Sequence, residues 1–122
     1  MIKFEVRDNQ TLQQSVAAFC RFLTDFGLSA ENVFDCRLVA NELLGNVLRH
    51  AKGTANMQSK IEDGFVVLQI HSSAAYIPPQ NSVCSDVYAE HGRGLFLVDS
   101  VCAERVTNAD GVLTVRIKIK ER

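Results

Sequence analysis

The chain has 122 residues, of which 47% are hydrophobic and 22% are charged, and its formal net charge at pH 7 is −1. These values indicate one ordinary globular domain that spans residues 1–122 and buries a core without metal or disulfide support. The near-zero charge disfavours broad electrostatic binding to nucleic acid, which requires a basic surface. The sequence opens with charged residues and contains no apolar run of membrane-spanning length. We therefore expect a cytoplasmic protein that contacts neither nucleic acid nor membrane.

Cysteine usage favours a reduced protein in which the thiols are structural. The cysteines lie far apart, and none has the spacing of a metal ligand: Cys20, Cys36, Cys84 and Cys102. Cys20 and Cys36 fall in helical apolar patterns, where a thiol packs as a small hydrophobe. Packing is therefore favoured over catalysis for all four thiols.

The first half of the sequence predicts one strand followed by two helices. Ile2–Val6 alternates apolar and polar residues, as a half-buried strand does. Residues 9–26 carry apolar side chains at steps of three and four, which predicts an amphipathic helix with Gly27 as its C-terminal cap. Ser29 fits the N-cap of a second helix, which is expected to run to about Ala51.

The second half begins with a predicted hairpin and a long loop. Residues 55–61 and 65–70 are strand-like, and Asp63-Gly64 between them is a favoured pair for a tight turn. Residues 72–90 show no period and hold both prolines. A loop of this length in a compact domain is usually functional or mobile, and a lid over a ligand is one such role.

A short helix and a second hairpin are predicted to close the chain. The helix follows Gly94, and the hairpin pairs residues 105–107 with residues 112–119 across Asp110-Gly111. The basic residues at the C-terminus alternate with apolar ones and are interpreted as the solvent face of a strand: Arg116, Lys118, Lys120 and Arg122. The order β-α-α-β-β-loop-α-β-β predicts an α+β fold, a two-layer α/β sandwich with helices on one face of a mostly antiparallel sheet.

A polar stripe interrupts the apolar pattern of the second predicted helix. Glu42, Asn46 and His50 stand four residues apart, so their side chains fall nearly above one another on a helix. Apolar residues spread over much of the remaining surface: Val39, Leu43, Leu44 and Val47. A core helix rarely gives up its middle to a carboxylate, an amide and an imidazole without a use. The stripe is therefore a candidate functional site.

The segment Gly92-Arg93-Gly94-Leu95 opens the short predicted helix that follows the loop. Backbone N–H groups at a helix N-terminus have no partner within the helix and can reach a phosphate. Together with the polar stripe, this segment predicts a nucleotide site, whereas neither feature alone would do so.

These two motifs, in this order and spacing, resemble those of GHKL-type ATP-binding domains, which have a Bergerat-type fold. More narrowly, the chain is similar over essentially its whole length to the anti-sigma factor serine/threonine kinases of bacteria. Residues 42–51 (ELLGNVLRHA) match the N box of that family, and residues 92–98 (GRGLFLV) match its second glycine box.

The resemblance implies a role for each motif residue. Asn46 would hold the Mg²⁺ that bridges the ATP phosphates, since a neutral amide oxygen suits a hard cation. Glu42 would act as general base toward the serine hydroxyl of a protein partner. Gly92 and Gly94, followed by Leu95, would let the backbone approach the phosphates closely.

Three further residues of these motifs have weaker assignments. Arg49 and His50 would lie at the mouth of the nucleotide site, but a cap of the helix C-terminus is favoured for His50 and a solvated side chain for Arg49. Arg93 would contact phosphate or a partner carboxylate, and a solvated arginine explains it about as well.

The first glycine box of the family, D-x-G-x-G, is degenerate in this chain. Ser72 stands where the family has the Asp that accepts a hydrogen bond from the adenine amino group, and Ala74 stands at the first glycine. A neutral hydroxyl is a weaker partner than a carboxylate, so a loss of ~1–2 kcal/mol in adenine binding is expected. The Cβ of Ala74 resists both positive φ and close approach of the backbone.

Three functions are therefore open. The first is an ATP-dependent serine/threonine kinase that acts as an anti-sigma factor, with an anti-anti-sigma-type protein as partner, a sigma factor as competitor and a homodimer as the usual state. The second is a non-catalytic member that binds protein and has weak or no ATP binding. The third, the catalytic domain of a histidine kinase, is disfavoured because no dimerisation helices or phosphoacceptor segment precede the domain.

Overall fold

The computed structural model describes residues 1–50, 54–72, 92–107 and 112–120, with the backbone alone for residues 50 and 92–96. Its elements follow the chain as β1 (Ile2–Val6), α1 (Asn9–Phe26), α2 (Ala30–His50), β2 (Ala55–Glu62), β3 (Phe65–Ser72), α3 (Gly92–Val101), β4 (Glu104–Thr107) and β5 (Leu113–Lys118). The predicted α+β fold is confirmed. The predicted Asp110-Gly111 turn and the loop assigned to residues 72–90, apart from Ser72, lie outside the described residues.

Local signals explain where the first elements begin and end. The carboxylate of Asp8 accepts a hydrogen bond from the Thr11 N–H at 2.8 Å, and the Thr11 hydroxyl accepts one from the Asp8 N–H, which is a capping box for α1. Gly27 ends α1 with φ of 109°, in the left-handed region where glycine has no Cβ clash. Ser29 caps α2 as predicted, since its Oγ accepts from the Asn32 N–H at 3.2 Å.

The five described strands form one antiparallel sheet in the order β1-β2-β3-β5-β4. The β2–β3 turn has φ of 54° at Asp63 and 80° at Gly64, as a two-residue type I′ hairpin requires. The sequence ended β3 at Ile70, but the strand continues to Ser72, which pairs with Ala55 at the start of β2. Pairing with β2 thus extends the strand beyond its apolar run.

The core lies between the helices and one face of the sheet. Helix α2 contributes the apolar residues that the sequence assigned to it, all of them buried: Val39, Leu43, Leu44 and Val47. The sheet contributes alternate residues of its strands, such as Met57, Leu68 and Val115. No helix among the described residues is long and apolar enough to cross a membrane.

The opposite face of the sheet carries the polar residues of the same strands. Arg116 and Lys118 of β5 lie there as predicted, and the Arg116 guanidinium lies over the Phe65 ring, 5.2 Å from its centroid. Lys120, assigned by sequence to the same strand face, instead follows the end of β5. Its Nζ pairs with Glu31 Oε1 at 2.6 Å.

Asn32 joins the beginning of α2 to the end of β5. Its side chain is fully buried, donates to the Lys118 carbonyl at 3.1 Å, and accepts from the Lys120 N–H at 2.8 Å. A buried amide is stable only when its polar atoms are paired, and this pairing joins two segments that lie far apart in the sequence. Asn32 therefore fixes where α2 begins relative to the sheet.

We expect Asn32→Ala to lower the free energy of unfolding by about 2 kcal/mol, because it removes the two hydrogen bonds to the end of β5, worth roughly 1 kcal/mol each. Urea denaturation monitored by circular dichroism measures the change. Asn56→Ala is the matched control: this asparagine is exposed on the polar face of the sheet, and its loss should change stability by less than ~0.5 kcal/mol. Equal effects of the two substitutions would contradict the role of Asn32.

Candidate functional site

The predicted polar stripe lies on α2, between its core-facing side and solvent. Asn46 is buried, with 3% of its surface exposed, and Glu42 one turn earlier is half-buried. Residues four apart on a helix have Cβ atoms about 5–6 Å apart, so the carboxylate and the amide share one surface. His50 is the last residue of α2, and its side chain lies outside the described set.

Arg49 covers the amide of Asn46. Its Nη2 donates a hydrogen bond to Asn46 Oδ1. A Cβ built on Gly45 would lie 3.4 Å from Nη1 of the same guanidinium, so the group extends over the backbone of the preceding turn. The residue as a whole is exposed. The sequence predicted either a solvated Arg49 or an Arg49 at the mouth of the nucleotide site. Neither prediction included the contact with Asn46.

The Glu42 carboxylate is half-buried, and within the described part of the chain it has no hydrogen-bond or ion-pair partner. A general base must lie within reach of the proton that it takes, and a carboxylate at this position is a candidate for that role.

Ser72 lies at the end of β3 that is next to the start of β2. Helix α2, which ends at His50, packs against both of these strands. Ser72 pairs with Ala55, and its side chain lies on the same face of β3 as buried Ile70, which is the face that the helices cover. Ser72 is half-buried and has an interaction of its own. Ala74 lies outside the described residues.

Helix α3 packs beside α2, and its C-terminal side meets β5 near Arg116. The helix is followed by Ala103, whose N–H donates to the Arg116 carbonyl near the far end of β5, and Val98 packs in the core. A ten-residue helix is about 15 Å long, so its N-terminus lies away from Arg116. That N-terminus is Gly92, so the helix includes the glycine motif, whereas the sequence pattern placed the start of the helix after Gly94. The side chains of residues 92–96, including Arg93 and Leu95, are outside the described part.

A salt bridge between Asp99 and Arg105 holds the other end of α3. Arg105 Nε lies 2.6 Å from Asp99 Oδ1 and Nη2 lies 3.0 Å from Oδ2, and the Arg105 side chain is only 6% exposed. This two-point contact fixes both distance and angle between α3 and β4. No sequence pattern predicts this salt bridge, since the two residues lie in different elements with no shared period.

The residues present fit a divalent cation at Asn46. The amide oxygen already accepts a hydrogen bond from a cationic group, so it is oriented toward positive charge. No group of three or more His, Cys, Asp or Glu side chains in the described ranges forms a metal cage. Mg²⁺ is commonly held by one or two protein oxygens together with substrate phosphates and water, which is the arrangement that a single amide allows.

A comparison with protein families gives one finding. The family profile described as histidine kinase-like ATPase domain matches residues 6–119, which includes every helix and all strands but the first four residues of β1. A search of curated proteins gave no match. The profile covers both motifs that the sequence singled out, and it agrees with the predicted resemblance at the level of the ATPase domain.

The described thiols do not take part in this chemistry. Burial raises the pKa of the Cys36 thiol from 9.0 to about 12, with a further rise from the nearby Asp35 carboxylate. Burial also raises the pKa of Cys102 to about 12. Because the thiolate is the nucleophile, both groups are inert at neutral pH, in agreement with the predicted packing role. Cys84 lies outside the described residues.

The raised thiol pKa values predict a loss of stability at alkaline pH. The folded chain retains protons that the unfolded chain releases, so this stabilisation is complete below pH 9 and falls as pH rises toward 12. Each thiol adds up to about 1.4 kcal/mol per pH unit to the slope. Urea denaturation between pH 8 and about 11 should show a shallower decline for Cys36→Ala than for the native chain. Parallel declines would contradict the assignment.

Proposed function

The chain belongs to the histidine kinase-like ATPase domain family, and from this premise we propose that it is an ATP-dependent protein serine/threonine kinase of the anti-sigma-factor type. Binding of ATP follows from the family. The observation that carries the kinase proposal is the placement of Glu42, which has no partner among the described residues, one helical turn before the buried Asn46. A module that only binds protein has no need of a base at this place.

Asn46 would hold the metal through Oδ1, the atom that now accepts from Arg49. Bound there, Mg²⁺ would neutralise charge on the ATP phosphates. The backbone N–H groups of the first turn of α3, from Gly92 onward, would donate to the same phosphates, helped by the helix dipole. These groups position the nucleotide, which is most of what phosphoryl transfer requires from a protein.

Glu42 would accept the proton in the transfer step. The hydroxyl oxygen of a partner serine attacks the γ-phosphorus, and the bond from that phosphorus to the bridging oxygen breaks. The hydroxyl proton passes to the Glu42 carboxylate, and ADP leaves. A phosphoserine on the partner and a protonated Glu42, which returns its proton to water, complete the balance.

The protein partners follow from the resemblance and complete the proposal. The phosphorylated partner is an anti-anti-sigma-type protein, a sigma factor competes for the same chain, and the chain acts as a homodimer in the cytoplasm. Partner switching then regulates transcription: phosphorylation weakens binding of the first partner because it adds about two negative charges to the interface.

A second candidate is a protein-binding module that has lost nucleotide dependence. The degenerate first glycine box favours it, because Ser72 stands where a carboxylate would fix the adenine and Ala74 stands at a glycine. Both departures from the family motif would weaken binding of the adenine base. The carboxylate of Glu42 and the amide of Asn46 would instead act in proton transfer and in binding of the phosphates. Titration with ATP therefore separates the two candidates.

We expect the native chain to bind ATP in the presence of Mg²⁺ and Asn46→Ala to lose the Mg²⁺-dependent part of the affinity. Titration calorimetry with and without EDTA measures both, and the Asn56→Ala variant, changed on the polar sheet face, should bind as the native chain does. Ser72→Asp should raise affinity about tenfold by restoring a charged acceptor for the adenine amino group.

Each other outcome of this titration has a definite meaning. Unchanged affinity in Asn46→Ala would refute the metal assignment. Binding by Ser72→Asp but not by the native chain would identify the binding-module alternative, with a site disabled at the adenine contact.

We expect Glu42→Gln to retain ATP binding and to lower phosphoryl transfer by about 10²–10⁴-fold, since the amide cannot accept the proton. Phosphoserine on candidate anti-anti-sigma-type proteins, quantified by mass spectrometry, measures the transfer. Glu31→Gln, at an exposed position near the start of the same helix, is the matched control. Equal transfer by Glu42→Gln and the native chain would exclude Glu42 as the base.

A further inference from the structure

We propose that Arg49 competes with Mg²⁺ for the side-chain oxygen of Asn46, so that the guanidinium takes the position of the metal when nucleotide is absent. The inference rests on the proposed binding of Mg²⁺-ATP and adds a regulatory residue to that site. It assigns Arg49 a role besides those of a solvated side chain or a phosphate ligand.

Two contacts locate the guanidinium. Nη2 donates to Asn46 Oδ1, and Nη1 lies above Gly45, at 3.4 Å from the position that a Cβ would take there. Because Gly45 has no side chain, the planar guanidinium of Arg49 can lie across one turn of α2. The nitrogen Nη2 therefore occupies the Asn46 oxygen through which a metal would be held.

Burial of Asn46 makes a partner necessary. The amide is 3% exposed, and a buried carbonyl oxygen without a hydrogen bond destabilises the fold. Arg49 supplies that bond in the chain without ligand, while its exposed stem leaves the guanidinium able to move into solvent. The arginine therefore stabilises the empty site and can leave it.

Simultaneous contact of both cations with the one oxygen is disfavoured by charge. A guanidinium within hydrogen-bond distance of the oxygen and a metal at coordination distance from it would lie only a few ångströms apart. Like charges at such a separation repel strongly in a half-buried environment. Binding of the metal thus requires the arginine to release Asn46, and the released guanidinium is free to turn toward phosphate or solvent.

The strength of the competition depends on the fraction of chains in which Arg49 occupies the Asn46 oxygen. If the charge-assisted bond favours the Arg49-bound state about tenfold, the fraction of chains competent for metal is about one in ten, and the apparent affinity for Mg²⁺-ATP is reduced by the same factor. Binding of ATP without metal carries no such reduction, because Asn46 has no metal to bind. The competition is therefore specific to the metal-bound nucleotide.

Arg49→Met tests the competition, since methionine keeps an apolar side chain of similar reach and removes the charge. Titration calorimetry with ATP in excess Mg²⁺ should give an affinity about tenfold tighter than for the native chain, and titration in EDTA should show no tightening. Arg37→Met is the matched control, because Arg37 is an exposed arginine on the same helix and the change in net charge is identical. It should leave both affinities within about twofold.

The results that overturn the inference differ from those that overturn the function. If the native chain and Arg49→Met bind Mg²⁺-ATP equally, Arg49 does not compete with the metal, although ATP binding is intact. The same conclusion follows if the variant binds ATP more weakly in both titrations. Absence of binding in both chains, with and without Mg²⁺, would refute the proposed function itself, and the competition with it.

A double-mutant cycle tests the contact without nucleotide. The unfolding equilibrium constants of the native chain, Arg49→Met, Asn46→Ala and the double variant should show a coupling of about tenfold between the two sites. Additive effects would mean that the guanidinium does not occupy the Asn46 oxygen in solution, and the inference would fail whatever the nucleotide titrations gave.

Discussion

The placement of α2 on the sheet is the constraint on which the site depends, because this one helix carries Glu42, Asn46 and Arg49. Its apolar residues fix the rotation of the helix about its axis, since they must face the core. They fix its position along the axis less well, because an apolar stripe repeats with every turn of about 5.4 Å. The two hydrogen bonds of Asn32 to the end of β5 set that second coordinate, so Glu42 and Asn46 lie at a defined height above the sheet.

The two buried asparagines of α2 both need hydrogen-bond partners for their side-chain amides, and their partners differ in kind. Asn32 pairs with backbone groups of a distant segment, and those partners are permanent parts of the fold. Asn46 pairs with the side chain of Arg49, an exposed residue three positions away. A buried amide with a permanent partner is structural, whereas one with a displaceable partner can exchange it for a ligand. The type of partner, rather than the degree of burial, distinguishes the two.

Sequence reasoning succeeded where the signal is local. The turn at Asp63-Gly64, the cap at Gly27 and the face shared by Glu42 and Asn46 follow from backbone sterics and helical period, and the structure has each of them. It did not find the pairing of Asn32, whose partners lie 86 and 88 positions away, or the Asp99–Arg105 salt bridge. Such contacts depend on how helices and strands pack against one another, and no periodic pattern in the sequence predicts that packing. The chemical roles of the site residues remain predictions for the same reason: residue types and spacing identify a surface, and the ligand must be measured.

The neutral amide at position 46 is what makes an exchange of cations feasible. A carboxylate in that buried place would pair with Arg49 as two opposite charges, and separating a buried pair leaves an uncompensated charge at a cost of roughly 3–5 kcal/mol. The arginine would then be difficult to displace, and the site would favour its closed state. An amide oxygen binds the guanidinium with a single hydrogen bond, which a divalent cation with phosphate behind it can replace. In the proposed exchange, asparagine would therefore stabilise the site without metal and still allow the metal to bind, whereas aspartate at the same position would do only the first.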